Sequence, residues 1–325
     1  MPAFEDVLDE QEKLAAIAYF QDFWSDEIYG NWLEMGGSDN WRSPLYQIHP
    51  LVGQIWSSGE ETFVDEEDLW AAVSSAQYVL LGEKHDNPDH HDLQLMMLNQ
   101  LIESGNVSHV TFEMLDSTAD SALAGFADQQ FSDADDINAY LQWDNEGWNW
   151  EFYGPLLETA YNESIAVRSG NISNETVSSV YGASTPPEIA AVLDREAMER
   201  LHQEIDESHC GLLPQSQFPA MVRVQQARDY RMASQLQVNE SSRSAVLIAG
   251  NYHVRQDLGV PNYLLAQNSG LSRENIVSVG LLEVQEGEIR PQRYLDQFSE
   301  VPAFDFIWFT PAVTAEDYCE SLRQR

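Results

Sequence analysis

A chain of 325 residues with 43% hydrophobic content is long enough to bury a large core, and 13 Tyr, 13 Phe and 9 Trp argue against disorder. Sixteen basic residues against 54 acidic ones give a formal net charge of −38, which repels nucleic acid and anionic lipid and removes both as default partners. The only lysines are Lys13 and Lys84, a balance that fits solvation in salty water.

From the amino end, residues 1–45 mix acids with Trp24, Trp32 and Trp41 and read as an N-terminal extension, with a short helix expected at about Leu14–Trp24. The opening MPAFEDVLDEQEK is acidic and lacks a basic start followed by an apolar run, so it is no secretory signal as written. A cytoplasmic location follows if the chain is complete, and an exported one if a signal was removed. No 18-residue apolar run occurs.

From LVGQIW onward strand and helix patterns alternate. Short apolar runs at Tyr78–Leu81, His109–Glu113, Ile165–Arg168, Ala245–Ala249, Ile276–Glu283 and Phe304–Phe309 have the habit of strands buried on both faces of a parallel sheet. NPDHHDLQLMMLNQLIESGN reads as a helix, with Asn87 as cap, Pro88 in the first turn and Gly105 as terminator. Residues 117–162 and 186–240 are long and mostly helical, too long for simple crossovers, and are expected to form a helical subdomain over one edge of the sheet. The fold class is α/β, a mostly parallel β-sheet flanked by helices with that inserted subdomain. Cys210 and Cys319 are far apart in sequence and could be a disulfide or two thiols.

Ligands of open parallel sheets bind beyond the carboxyl ends of the strands. Three strands here end in polar groups: Gly82, Glu83 and His85; Glu113; and Gly250, Asn251 and His253. Gly82-x-x-His85 and Gly250-x-x-His253 share one spacing, so neighbouring strands would bring two imidazoles and two carboxylates into one crevice. Such a set, Glu83, His85, Glu113 and His253, can bind a divalent metal or act as acid and base. His90 and His91 fall in the first turn of a helix, and one of them is expected to face solvent. His49, His109 and His202 are read as structural, and Lys84 as a partner for nearby carboxylates. Gly-x-Ser-x-Gly, phosphate-loop, dinucleotide and Cys-x-x-Cys-His signatures are absent.

HPLVGQIW, LLGEKHDNPDHHDLQ, VTFEML, FYGPLLETA, HCGLLP, QQARDYRMA and LIAGNYHVRQDLGVPNYL occur in the order of the ChaN-type haem-binding family, and over roughly residues 46–284 the sequence resembles it. That family sits in a wider group with Tiki metalloproteases and erythromycin esterases. The resemblance implies an exported or lipid-anchored bacterial protein, periplasmic or at the outer membrane. It further implies a protein working with a haem or iron receptor system and holding haem non-covalently at a homodimer interface through a tyrosine helped by a histidine. Glu83, His85, Glu113, Arg228 and His253 match the shared pocket positions. Tyr153 is the first candidate for the iron-ligating tyrosine and Tyr252 the second, although a smaller residue is expected beside His253 and Tyr252 would narrow the pocket. Arg228 could meet a haem propionate or a substrate carboxylate, and HCGLLP is read as closing the subdomain. The alternative function is a metal-dependent or Glu/His-dependent hydrolase of peptides or esters.

Overall fold

The computed structural model describes residues 41–238, 243–295, 297–316 and 318–323. The helix expected at Leu14–Trp24 lies outside the described residues. Eight strands form one sheet: β1 (Ile55–Ser57), β2 (Thr62–Val64), β3 (Tyr78–Glu83), β4 (Val107–Asp116), β5 (Ala166–Asn171), β6 (Ser244–Gly250), β7 (Ile276–Glu283) and β8 (Phe306–Thr310), in the order β2-β1-β8-β7-β3-β6-β4-β5. The run from β8 to β5 is parallel throughout, while β1 is antiparallel to β8 and β2. All six strands expected from sequence are present. The β1–β2 hairpin is additional, because three residues a strand leave too little periodicity to see.

The helices are α1 (Glu66–Ser75), α2 (Pro88–Glu103), α3 (Asp120–Leu123), α4 (Ala134–Leu141), α5 (Trp150–Asn162), α6 (Asn174–Gly182), α7 (Pro187–Ala190), α8 (Arg195–Ser208), α9 (Phe218–Leu236), α10 (Asn251–Val254), α11 (Val260–Gln267) and α12 (Tyr318–Arg323). The Asn87 side chain accepts hydrogen bonds from Asp89 N and His90 N to start α2, and Gly105 at φ +75° follows its end, the left-handed stop that glycine adopts without penalty.

Because side chains alternate along a strand, each central strand feeds two cores. Val79, Leu81, Val246, Ile248 and Val279 pack with α1, α2, α4 and α5, whereas Tyr78, Leu80, Ala245, Leu247 and Ile276 pack with α7, α8, α9 and α11. The two long helical segments, expected as one subdomain over one edge, therefore lie on opposite faces of the sheet. The reason is that both faces are apolar and each needs its own cover. Cys210 and Cys319 form a disulfide that ties the end of α8 to α12. Among the described residues no helix is long and apolar enough to cross a membrane.

Candidate functional site

Strands β3 and β6 are in register, with Glu83 opposite Gly250, so the two Gly-x-x-His turns are neighbours. The missing side chain is used at both. A Cβ on Gly82 would stand 2.4 Å from Val254 Cγ2 and 2.5 Å from Asn251 Oδ1, and one on Gly250 would stand 2.9 Å from His85 Cε1. The first contact lets α10 close over β3; the second lets the His85 ring lie against the end of β6.

Glu83, Glu113 and His253 are buried. His85 Nδ1 lies 2.5 Å from Glu83 Oε1, which also accepts a hydrogen bond from the Tyr153 hydroxyl at 3.1 Å. Glu83 Oε2 is shielded from water and has no hydrogen-bond partner among the described residues. His253 stands between two acids, with Nδ1 2.5 Å from Asp229 Oδ1 and Nε2 3.2 Å from Glu113 Oε1. Glu113 Oε2 in turn accepts the Gly250 N–H at 2.8 Å. Burial works against charge on His253, but Glu113 and Asp229 outweigh it and raise its pKa to about 10. Burial likewise opposes ionisation of Glu113, yet His253, His85 and the Gly250 N–H bring it down to about 2. For His85, desolvation is overcome by Glu83 and Glu113, and its pKa moves up. The cluster is an alternation of acids and imidazoles whose protons are placed between them.

Above it lies a cavity of about 500 Å³, floored by Glu83, His85, Gly250 and His253. Leu281, Leu282 and Glu283 form one wall, and Glu204, Ile205 and Ser208 of α8 form another. The His85 side chain is 46% exposed, and its Nε2 has no hydrogen bond to any described residue. Lys84 lies at the same cavity and pairs with Asp86 at 3.1 Å and Glu283 at 3.0 Å.

The expectations for His90, His91 and a metal need correction, and both candidate tyrosine hydroxyls are shielded from water. His90 and His91 are both buried, and neither faces solvent. His90 Nδ1 accepts the Lys84 N–H at 2.8 Å, its Nε2 lies 2.8 Å from Thr310 Oγ1, and burial depresses its pKa. His91 stacks on Phe152 and meets the His85 carbonyl oxygen at 3.2 Å. Together they hold the turn that presents His85. Tyr153 is 0% exposed, its hydroxyl is spent on Glu83, and burial followed by the Glu83 charge drives its pKa upward. In this arrangement it positions Glu83. Tyr252 lines the cavity, but its hydroxyl oxygen is itself shielded from water. Finally, among the described residues no group of three or more His, Cys, Asp or Glu is placed to hold a metal ion. Glu83, His85, Glu113 and His253 do adjoin, but Glu113 and His253 are engaged with each other, with Asp229 and with the Gly250 N–H, which leaves only Glu83 Oε2 and His85 Nε2 open.

Arg228 is not in this cavity. It lines a separate one with Glu113. The residue that sequence reasoning missed is Asp229. Its signal was present: Val222, Gln226, Asp229, Ala233 and Leu236 recur at helical spacing and are all buried, so an acid sits on the inward stripe of α9. The HCGLLP segment closes α8 as read, with His209 Nδ1 2.7 Å from the Ile205 carbonyl oxygen and Cys210 in the disulfide. His49 and His109 serve turns and core, as read: His49 Nδ1 accepts the Leu51 N–H at 3.2 Å, and His109 is buried in β4.

Residues 69–264 match the family model described as haem-binding uptake, Tiki superfamily, ChaN. The chain belongs to the ChaN family. Among solved structures it is similar to ChaN of Campylobacter jejuni, described as binding haem cofacially, with 26% identity over 78% of this chain and 95% of that one and a TM-score of 0.62. Weaker similarity extends to the erythromycin esterase EreC (12% identity, 78% and 95% coverage, TM-score 0.44) and to the C-terminal region of Pasteurella multocida toxin (11%, 82% and 29%, 0.40). No curated protein matches. The α/β fold and the ChaN family expected from the sequence both stand.

Proposed function

We propose that this chain binds haem non-covalently in the cavity floored by His85 and serves haem or iron uptake. The observation that carries the reading is the state of His85: one ring nitrogen engaged with Glu83 and the other unpartnered at a cavity of about 500 Å³. A carboxylate on the far nitrogen fixes the ring and raises the basicity of the near one, the arrangement metal-ligating histidines use. The chain's residues fit the group. Nε2 of His85 would hold the iron, Ile205, Leu281 and Leu282 offer apolar surface to a porphyrin face, and Lys84 at the rim would meet a propionate. When bound, haem would supply a redox-active iron centre that this nitrogen could hold. Glu83 orients the imidazole, Tyr153 anchors Glu83, and the His253–Glu113 pair closes the floor. A homodimer with haem at its interface is part of the proposal, supported by the cofacial haem described for the Campylobacter jejuni relative. So is an exported location beside an outer-membrane receptor, supported by the Cys210–Cys319 disulfide, since such bonds persist in oxidising compartments.

Hemin titration of the purified protein tests this. A saturable Soret band lost in His85→Ala and kept in Tyr153→Phe is expected; a flat titration at about micromolar protein would overturn it. One observation favours a second reading, a Glu/His-dependent hydrolase without metal: a histidine with a carboxylate at Nδ1 and a bare Nε2 is also a general base. Turnover of ester or peptide libraries lost in His85→Ala, with no hemin uptake, would select it.

A further inference from the structure

A second cavity of about 230 Å³ opens at the carboxyl ends of β4 and β5, lined by Glu113, Asp116, Trp148, Asn171, Asn174 and Arg228 among others. It is the other half of the sheet edge where ligands of parallel sheets bind, and the Glu113–His253 contact walls it off from the first. Arg228 is its unexplained member. The guanidinium makes no hydrogen bond or ion pair with any described residue, and its Nε is shielded from water without a partner. A guanidinium carries five donors and cannot neutralise itself, so the shielded Nε donor goes unmet until an acceptor arrives.

The nearby carboxylates do not supply that acceptor. Glu113 spends both oxygens on His253 and Gly250. Asp116 Oδ1 accepts from the Thr118 N–H at 2.7 Å and Oγ1 at 2.5 Å, and Asp144 Oδ1 accepts from the Glu146 and Gly147 N–H groups at 3.2 and 3.1 Å. These acids hold their own turns. They also make the cavity lining negative, which disfavours a simple anion. Oδ2 of Asp116 and Oδ2 of Asp144 have no hydrogen bond to a described residue, and both acids line the cavity.

We propose that the Arg228 cavity binds a small zwitterion of the amino-acid class, its carboxylate on the Arg228 fork and its ammonium facing Asp116 and Asp144. Planar two-point recognition of a carboxylate is what arginine does better than lysine. The volume is less than half that of the His85 cavity, so a porphyrin is excluded from it. The inference stands independently of haem binding.

Isothermal titration of the full chain with glycine, L-serine and L-glutamate, against acetate and methylammonium, tests it. At least one amino acid is expected to bind saturably with Kd of about 1 mM or tighter, and acetate about tenfold or more weaker. Arg228→Gln should abolish the signal, with circular dichroism confirming the fold. Asp144→Asn, at an exposed side chain, should weaken the amino acid and leave acetate unchanged. No heat from any amino acid at about 10 mM, equal binding of acetate, or undiminished binding in Arg228→Gln would overturn the assignment.

Discussion

Replacing both cysteines, as Cys210→Ser with Cys319→Ser, should remove a large share of the stability of this fold. The bond joins residues 109 positions apart, so the unfolded chain it constrains is a long loop. In the chain-entropy description, closing a loop of that length is worth about 4–5 kcal/mol at 25 °C. On the native side little else is lost, because the Tyr318 hydroxyl still donates to Asp86 Oδ2 at 2.6 Å and Lys84 still sits 5.5 Å from the centre of the Tyr318 ring. Urea unfolding of the oxidised parent and the double serine variant measures the difference. A loss of about 4–5 kcal/mol is expected, with faster amide exchange at residues 204–208 as the end of α8 is released. A loss below about 1 kcal/mol would refute the loop argument and remove the physical reason for an oxidising compartment.

The His253 imidazolium has a pH signature. Its pKa rises from 6.5 to about 10 on folding, so its contribution is complete below pH 6.5 and is lost as pH climbs towards 10. Glu113, lowered from 4.5 to about 2, contributes above pH 4.5 and fades as pH falls towards 2; nitrogen NMR at pH 8 should show both His253 ring nitrogens protonated, and a neutral ring would refute this. Tyr153→Phe removes a buried hydrogen bond to a carboxylate and should destabilise by about 1.5–3 kcal/mol in urea with an unchanged hemin spectrum; a shifted Soret band would return the tyrosine to the iron. Gly82→Ala forces a methyl group against Val254 and Asn251 and should lower stability by about 1–3 kcal/mol or more in the same assay, while a neutral result would mean that α10 is not closed over β3.

Much of this architecture was legible because the central strands announce themselves twice, as apolar runs and through the polar residues at their carboxyl ends. Glu83, His85, Glu113 and His253 were readable as one cluster from the ends of three strands. Orientation was not readable. Tyr153 is a candidate ligand because phenolates bind ferric iron, and only the fold shows that its place on α5 buries it beneath Glu83, to which its hydroxyl donates. QQARDYRMA points to Arg228 alone as a pocket residue, yet adjacent residues on a helix point about 100° apart. Asp229 therefore meets His253 while Arg228 opens into the neighbouring cavity. The opposite-face placement of the helical segments was hidden because it depends on which apolar faces the sheet leaves uncovered, a long-range property.

The two echoed turns show how identical local spacing acquires different chemistry. His85 and His253 each follow by three residues a glycine near the carboxyl end of a strand, and each has a carboxylate at Nδ1: Glu83 for the first, Asp229 for the second. The difference is at Nε2. In His253 that nitrogen meets Glu113, whose other oxygen is fixed by the Gly250 N–H, so the ring is closed at both ends and becomes part of the floor. In His85 the same atom finds no hydrogen-bond partner among the described residues, and the side chain lines the cavity. One acid near the carboxyl end of β4, Glu113, thus decides which imidazole is scaffold and which is available for a ligand. Exchanging the character of the two rings would require moving Glu113, and no change within either turn would accomplish it.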